Sequence, residues 1–239
     1  MIVSMHQPTF WPWLGLLDKI AMSDLFIILD HVQMSKGSYQ YRNVFFCGGD
    51  RKFLTLPINY HLGDNFHQLS FRSAEWQVKQ LSQIQNYYLR SPFFSDIYPL
   101  MESYYNSTYE TPLEAIARSM QLSMELFSID TKIGFSSEYR ISSDKGEMVF
   151  DLCKVVDASV YLSGKGAYAY MQDVKERFKA ASITIDWQDF THPIYPQAKE
   201  YPFVEGLAGI DLLFWNGIDR AREIFWDNVK RSNKSPTKV

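Results

Sequence analysis

Cysteine is scarce in this chain: among 239 residues only Cys47 and Cys153 carry thiols. Two thiols so far apart make no zinc motif, and neither has the His and Asn context of a cysteine nucleophile. They fit reduced thiols of a cytoplasmic compartment. Long apolar runs are missing as well. No stretch reaches the ~20 residues that span a bilayer, and no membrane insertion is expected. Met1 runs straight into an apolar segment, without a basic leader or a small-residue cleavage site, so the expectation is a cytoplasmic protein without a signal peptide. Nor is there an excess of positive charge: 24 Lys and Arg against 27 Asp and Glu leave a net charge of −3. That balance offers no electrostatic footprint for DNA or an anionic membrane, and it weighs against tRNA. Repeats, low-complexity segments and metal-ligand spacings are absent, and no metal is expected.

What the chain has in plenty is aromatic side chains, at 16%. Most belong in a rich core, and the remainder suit a pocket that stacks a sugar or a base. The first thirty residues organise the rest. Met1–Met5 reads as a strand, and His6 to Gly15 as a loop with two prolines and two tryptophans. Leu16, Leu17, Ile20 and Ala21 recur at helical spacing, and Asp24–Asp30 reads as a second strand. A strand-loop-helix-strand unit opens a Rossmann-like sheet, whose ligands bind at the carboxyl ends of strands. A loop this aromatic at such an end suggests docking.

Further along, Val44–Cys47 and Lys52–Ile58 read as strands around a Gly48-Gly49-Asp50 hairpin signal, with 61–68 a polar loop and 69–71 a short edge strand. Helical spacing follows from Trp76, broken at Ser91-Pro92, then over Phe93–Tyr105 and Pro112–Leu126. Thr111 is the N-cap of the last, and Pro112 its first helical residue. The second half alternates: strand 132–135, a helix to about Val156, strand 158–162, a Ser163-Gly164-Lys165-Gly166 turn, one helix over 167–180, strand 182–187 and a helical region over 210–230. The predicted fold is α/β, a mainly parallel Rossmann-like sheet with flanking helices and a helix-rich insert at 76–127. One domain is expected over 1–230, with a flexible polar tail at 231–239.

Candidate site residues stand at strand ends. His6 follows the first strand, where an imidazole could act as general base toward an amine, or instead hold the proline-rich loop by a backbone hydrogen bond. Gln7 and Trp13 share that loop. Asp30 ends the second strand, placed to hold ribose hydroxyls or an ammonium, or to cap a turn. Gln33 and Ser35 supply neutral partners for sugar hydroxyls. Gln40, Arg42 and Asn43 precede a strand, and the Arg42 fork suits phosphate. Ser163, Gly164 and Lys165 sit between strand and helix as an anion turn without Walker spacing. His6, Asp30, Gln33, Arg42 and Ser163 are expected to line one cleft.

Several motifs taken together resemble the WbqC-like family: His6-Gln7-Pro8, Pro12-Trp13-Leu14-Gly15, Asp18-Lys19-Ile20, Asp30-x-Val32-Gln33-Met34-Ser35, Arg42-Asn43, Tyr161-Leu162-Ser163-Gly164, Tyr195-x-Gln197 and Ile210-Asp211-Leu212-Leu213-Phe214-x-Asn216-Gly217. The similarity runs from residue 2 to about 218. One departure is His31, where the family often has a second acidic residue. The resemblance adds Tyr195 and Gln197 to the substrate-binding set. It implies a place in bacterial O-antigen and surface-polysaccharide (lipopolysaccharide) synthesis, and transfer of a glycyl or similar acyl group to the amine of a nucleotide-linked amino sugar. His6 and Asp30 would be the catalytic pair. No cofactor is certain. The donor could be an acyl-carrier-protein thioester, an aminoacyl-tRNA, or ATP with free amino acid. A second similarity is weaker: Pro12-Trp13-Leu14-Gly15-Leu16 falls on the Pro-His-x-Gly-His of nucleotidylyltransferases and class I aminoacyl-tRNA synthetases. Trp13 and Leu16 replace both histidines: Leu16 has no donor for a phosphate, and the Trp13 indole offers one neutral N–H in place of an imidazole. The alternative to a transferase is therefore a non-catalytic sugar-nucleotide-binding or assembly protein derived from that fold.

Overall fold

The structure is a computed structural model that describes residues 1–35, 37–61 and 63–232. Its first unit follows the hydrophobic pattern: β1 (Ile2–His6), α1 (Leu14–Ala21) and β2 (Leu25–Ile28). β1 and β2 pair in parallel, with His6 opposite Ile28. Side chains of β2 alternate across the sheet, as a strand's period of two requires. Phe26 and Ile28 enter one hydrophobic cluster together with Leu16, Leu17 and Ile20 of α1. Ile27 enters the other, on the opposite face. Each such side chain, taken fully out of water, contributes roughly 1.5–3 kcal/mol.

Next come the antiparallel hairpin β3 (Arg42–Cys47) and β4 (Asp50–Thr55), then the short pair β5 (Ile58–Asn59) and β6 (Ser70–Phe71). Gly48 and Gly49 turn the hairpin with φ of 57° and 85°, a region that favours glycine. The expected strand 52–58 is split, because Pro57 has no N–H to continue a ladder. Three helices follow, α2 (Trp76–Tyr88), α3 (Phe94–Tyr105) and α4 (Pro112–Leu126). Thr111 caps α4 by accepting from the Glu114 N–H at 3.3 Å. These helices bury Ile84, Met101 and Ile116 in the same cluster as α1.

The chain then returns to the sheet through β7 (Lys132–Phe135), α5 (Lys145–Val155), β8 (Val160–Ser163), α6 (Tyr168–Met171), α7 (Lys175–Ala180) and β9 (Thr184–Trp187). The single helix expected over 167–180 is broken into two by a 3-10 turn at Gln172–Val174. The break falls where Gly146 of α5 presses in. A Cβ on Gly146 would stand 2.9 Å from the Tyr170 carbonyl and 3.1 Å from Val174. The expected helical region 210–230 is likewise two helices, α8 (Ile210–Asn216) and α9 (Ile218–Ser232), divided at Gly217 with φ of 73°. Arg231 and Ser232, expected in the tail, close α9. Residues 233–239, the rest of that expected tail, lie outside the described residues.

Five strands form one parallel sheet in the order β7-β2-β1-β8-β9. Numbered by chain order within the sheet, that is 3-2-1-4-5, the Rossmann arrangement. The fold is α/β and Rossmann-like, with helices on both faces. Its order reverses between β1 and β8, and crevices for ligands form outside the carboxyl ends of strands at such a switch point. Among the described residues no helix is long and apolar enough to cross a membrane.

Candidate functional site

A cleft of about 870 Å³ opens at that switch point, lined by the ends of β1, β2 and β8, the start of α5 and the segment after β9. Clefts of that size hold small ligands. Its floor holds His6 and Lys19, and its walls include Trp13, Tyr161, Tyr170 and Phe190.

His6 is the last residue of β1 and half-buried. Its Nδ1 donates to the Gln7 carbonyl at 2.9 Å. A carbonyl only accepts, so the proton is on Nδ1 and Nε2 keeps its lone pair. The Trp13 ring meets the imidazole edge-on, at 5.7 Å between centroids. Burial, and then the nearby Lys19 ammonium, push the His6 pKa down to about 4. Near neutral pH the ring is an uncharged acceptor. The backbone hydrogen bond expected of a loop-holding histidine is present, and the ring also lines the cleft.

Lys19 comes from α1 and is 5% exposed. It donates to the Met5 carbonyl at 2.9 Å, and desolvation lowers its pKa to about 8. His31 also lines the cleft. Ser136 Oγ donates to Asp30 Oδ1 at 2.9 Å, so His31 Nδ1 must be the donor toward Ser136. In the sequence Lys19 stands out only as part of the Asp18-Lys19-Ile20 motif, with no site role, and His31 only as a departure. The signal available for Lys19 was a lone lysine among Leu16, Leu17 and Ile20, on the buried stripe of α1.

The structure does not bring all the expected site residues together. With His6, the residues Gln7, Trp13, Gln33 and Gly164 line the cleft. Asp30 lies outside it. Its carboxylate is 1% exposed and accepts from Ser136 Oγ, Ser137 N, Ser137 Oγ and His67 Nε2. Desolvation would raise its pKa, but the hydrogen bonds from Ser137 and Ser136 outweigh it and hold the group below the usual carboxylate range. With its oxygens so occupied, Asp30 orients neighbours and has no oxygen left for an ammonium in the cleft. Ser35 and Gln40 also stand apart from the lining. The Ser35 N–H donates to Gln40 Oε1, while Gln40 Nε2 donates to Gln7 Oε1, so Gln40 fastens the Gln7 loop. Asn43 is fully buried and clamps the Phe10 and Trp11 carbonyls. Trp11 itself is a core residue in a positive-φ turn. Of the two loop tryptophans, only Trp13 reaches the cleft.

Arg42 donates to the Gly37 carbonyl and lies over the Phe53 ring at 4.2 Å. One amino group of its fork is turned to the Gly37 carbonyl and its face to the hairpin, the buried Nε has no partner, and the side chain is not part of the cleft lining. Arg42→Ala is expected to leave sugar-nucleotide affinity within twofold of wild type and to cost about 1 kcal/mol of stability. Calorimetry and a urea melt check both, and a tenfold loss of affinity would return Arg42 to the site.

The 163–166 turn divides in the same way. Ser163 is buried at the end of β8, and the Lys165 ammonium turns to Asp189 at 2.7 Å. α6 has only four residues, so the helix-end field expected behind this turn is slight. The glycines are another matter. A Cβ at Gly164 or Gly166 would meet nothing within 4 Å, and neither has positive φ. The fold therefore does not require glycine there, while close approach of a ligand to the backbone would. Gly164→Ala is expected to melt within a degree or two of wild type and to bind ligand at least tenfold more weakly. A thermal melt read beside calorimetry checks it, and unchanged binding would remove the turn from the site.

Tyr195 and Gln197 belong to a buried network away from the cleft. Tyr195 OH and Gln197 Nε2 donate to Asp211 Oδ2 at 2.8 and 3.0 Å, and Tyr88 OH donates to Oδ1 at 2.9 Å. Burial raises the Asp211 pKa to about 6 in spite of these bonds. This motif joins α2, α8 and the segment after β9. Gly15, too, has a structural reason: a Cβ there would stand 2.9 Å from the Phe190 ring. Among the described residues no cluster of His, Cys, Asp or Glu is arranged to hold a metal.

A parallel sheet ordered 3-2-1-4-5 with a polar-floored cleft at its switch point defines an α/β protein of the Rossmann-like class. The chain belongs to the WbqC-like protein family, whose sequence profile matches residues 7–223. It is 27% identical over 225 residues to the uncharacterized protein Rv1507c of Mycobacterium tuberculosis (strain ATCC 25618 / H37Rv), across 91% of this chain and 94% of that protein. No solved structure matches it significantly.

Proposed function

We propose that the protein transfers a glycyl or similar acyl group to the amine of a nucleotide-linked amino sugar, in the cytoplasmic stage of surface-polysaccharide synthesis. The observation that carries this is His6, with a lone pair on Nε2 at the floor of a cleft sized for a small molecule. In the reaction the amine nitrogen bonds to the acyl carbon and the bond to the donor's leaving group breaks. The proton shed by the nitrogen leaves through Nε2 to the departing group. Trp13 and Phe190 offer faces on which a sugar or base can stack, and Gly164 and Gly166 leave room for phosphate. Of the three donors, the net charge of −3 disfavours tRNA and leaves an acyl-carrier thioester or ATP with free amino acid.

One observation favours a second reading, a sugar-nucleotide-binding protein without catalysis. A base whose conjugate acid has a pKa of about 4 holds a proton poorly at neutral pH. Mass spectrometry separates the two. Wild-type protein is incubated with an amino-sugar nucleotide and, in turn, glycyl-carrier thioester, glycyl-tRNA, and glycine with ATP. A mass gain of one glycyl group on the sugar supports the transferase. Binding of the sugar nucleotide with no product from any donor supports the binder.

A further inference from the structure

We infer that the floor of the cleft is an anion site, where the Lys19 ammonium is the counter-ion for a phosphate or carboxylate group of the ligand. Lys19 is 5% exposed, its hydrogen-bond acceptor is the Met5 carbonyl, and no ion pair involves it among the described residues. An ammonium has three donors and a full charge, so one carbonyl leaves most of its desolvation uncompensated. The depressed pKa of about 8, due to burial alone, expresses the same deficit.

Four further features of the cleft accompany it, the first two of them positive in sign. Its lining carries Lys19 and Lys145 against Asp144, in a chain whose net charge is −3. A recess of that kind focuses positive potential. α5, eleven residues long, begins at the cleft, and the Asp144 side chain makes no capping bond to it. Lys145, its first residue, is held at a φ of 50°, a conformation that costs energy outside glycine and is found at ligand sites. Across from it, Gly164 and Gly166 present backbone with open space where side chains would be.

This deepens the assignment of the cleft without depending on acyl transfer. A protein that only binds satisfies it, and a turnover assay without product leaves it standing. Inorganic pyrophosphate and acetate are the probes, titrated by calorimetry into the full chain. Wild type is expected to bind one of them. Pyrophosphate alone assigns a phosphate site and acetate alone a carboxylate site, whereas binding of neither overturns the proposal. Lys19→Met, which keeps the length and removes the charge, is expected to lose 10- to 100-fold in affinity for that probe while melting at or above the wild-type temperature. Equal affinity in Lys19→Met overturns the proposal.

Should that variant fail to fold, proton uptake by the wild type decides. An anion beside Lys19 raises its pKa, so binding at pH 8 draws protons from the buffer. The heat then changes with the ionisation enthalpy of the buffer. The other titratable groups facing the cleft are His6, His31, Asp144, Lys145, Tyr161 and Tyr170. The His6 pKa of about 4 keeps it silent at pH 8. Sulfate, which carries no exchangeable proton at pH 8, replaces pyrophosphate in this titration, and heat independent of the buffer would then mean that Lys19 does not meet the anion.

Discussion

His6→Asn is expected to lower turnover by about 10²–10⁴-fold, the usual contribution of a positioned acid or base, with sugar-nucleotide affinity close to wild type. An amine attacks only while its lone pair is free, and a neutral acceptor beside it lets the proton leave as the bond forms. Asparagine keeps polarity and approximate size and can hydrogen-bond, but it takes no proton near neutral pH. Single-turnover rates and thermal melts on the same preparations make the test. Full activity in His6→Asn would leave positioning of the two substrates as the source of rate.

The same variant changes how stability depends on pH. The folded-state pKa of His6 is depressed to about 4 from 6.5. Its contribution is complete above 6.5 and is lost as pH falls toward 4. Asp211 acts in the opposite sense. Its pKa is raised from 3.8 to about 6, so its contribution is complete below 3.8 and is lost as pH rises through 6. In the wild type the two slopes largely cancel between pH 4 and 6. His6→Asn removes one of them, and its stability should fall by roughly 3 kcal/mol as pH rises across that window. Urea melts at pH 4, 5 and 6 read the slope, and a flat profile in the variant would contradict the Asp211 assignment.

Asp30→Asn is expected to destabilise the fold by roughly 3 kcal/mol. Ser136, Ser137 and His67 donate to the carboxylate, and bonds to a charged acceptor are worth about 1.5–3 kcal/mol each against about 0.5–1.5 for neutral ones. An amide nitrogen at one of these positions would face donors with a donor. His31 would also lose the Ser136 hydroxyl orientation that holds it in the cleft wall. Chemical denaturation measures the loss. A variant of wild-type stability that had nonetheless lost turnover would restore Asp30 as a catalytic residue.

Elements of secondary structure were legible because hydrophobic spacing is local. The strand at 132–135 and the helix at 112–126 with its Thr111 cap follow from residues within a turn or two of each other. Failures came where long-range packing intervened, at Gly146 against the Tyr170 carbonyl and at Gly217 against the Phe93 ring. Site residues behaved in the same manner. His6 and Gly164 were legible because one ends β1 and the other directly follows the adjacent parallel strand β8, and the end of a strand is a position visible in one dimension.

By itself, then, the sequence determined the α/β alternation, the family and the strand ends from which the cleft is built. Only the tertiary structure decided which polar group of each motif faces that cleft. Asp30 and His31 are neighbours in the chain, yet Ser136 and Ser137, more than a hundred residues away, draw the carboxylate off while the imidazole stays in the wall. Asp211 withdraws Tyr195 and Gln197 in the same way, and Phe53 withdraws Arg42. The physical reason is that a buried polar group must be satisfied by whatever lies nearest in space. Those partners come from elements that the sheet and its helices bring together, so spacing along the chain does not specify them.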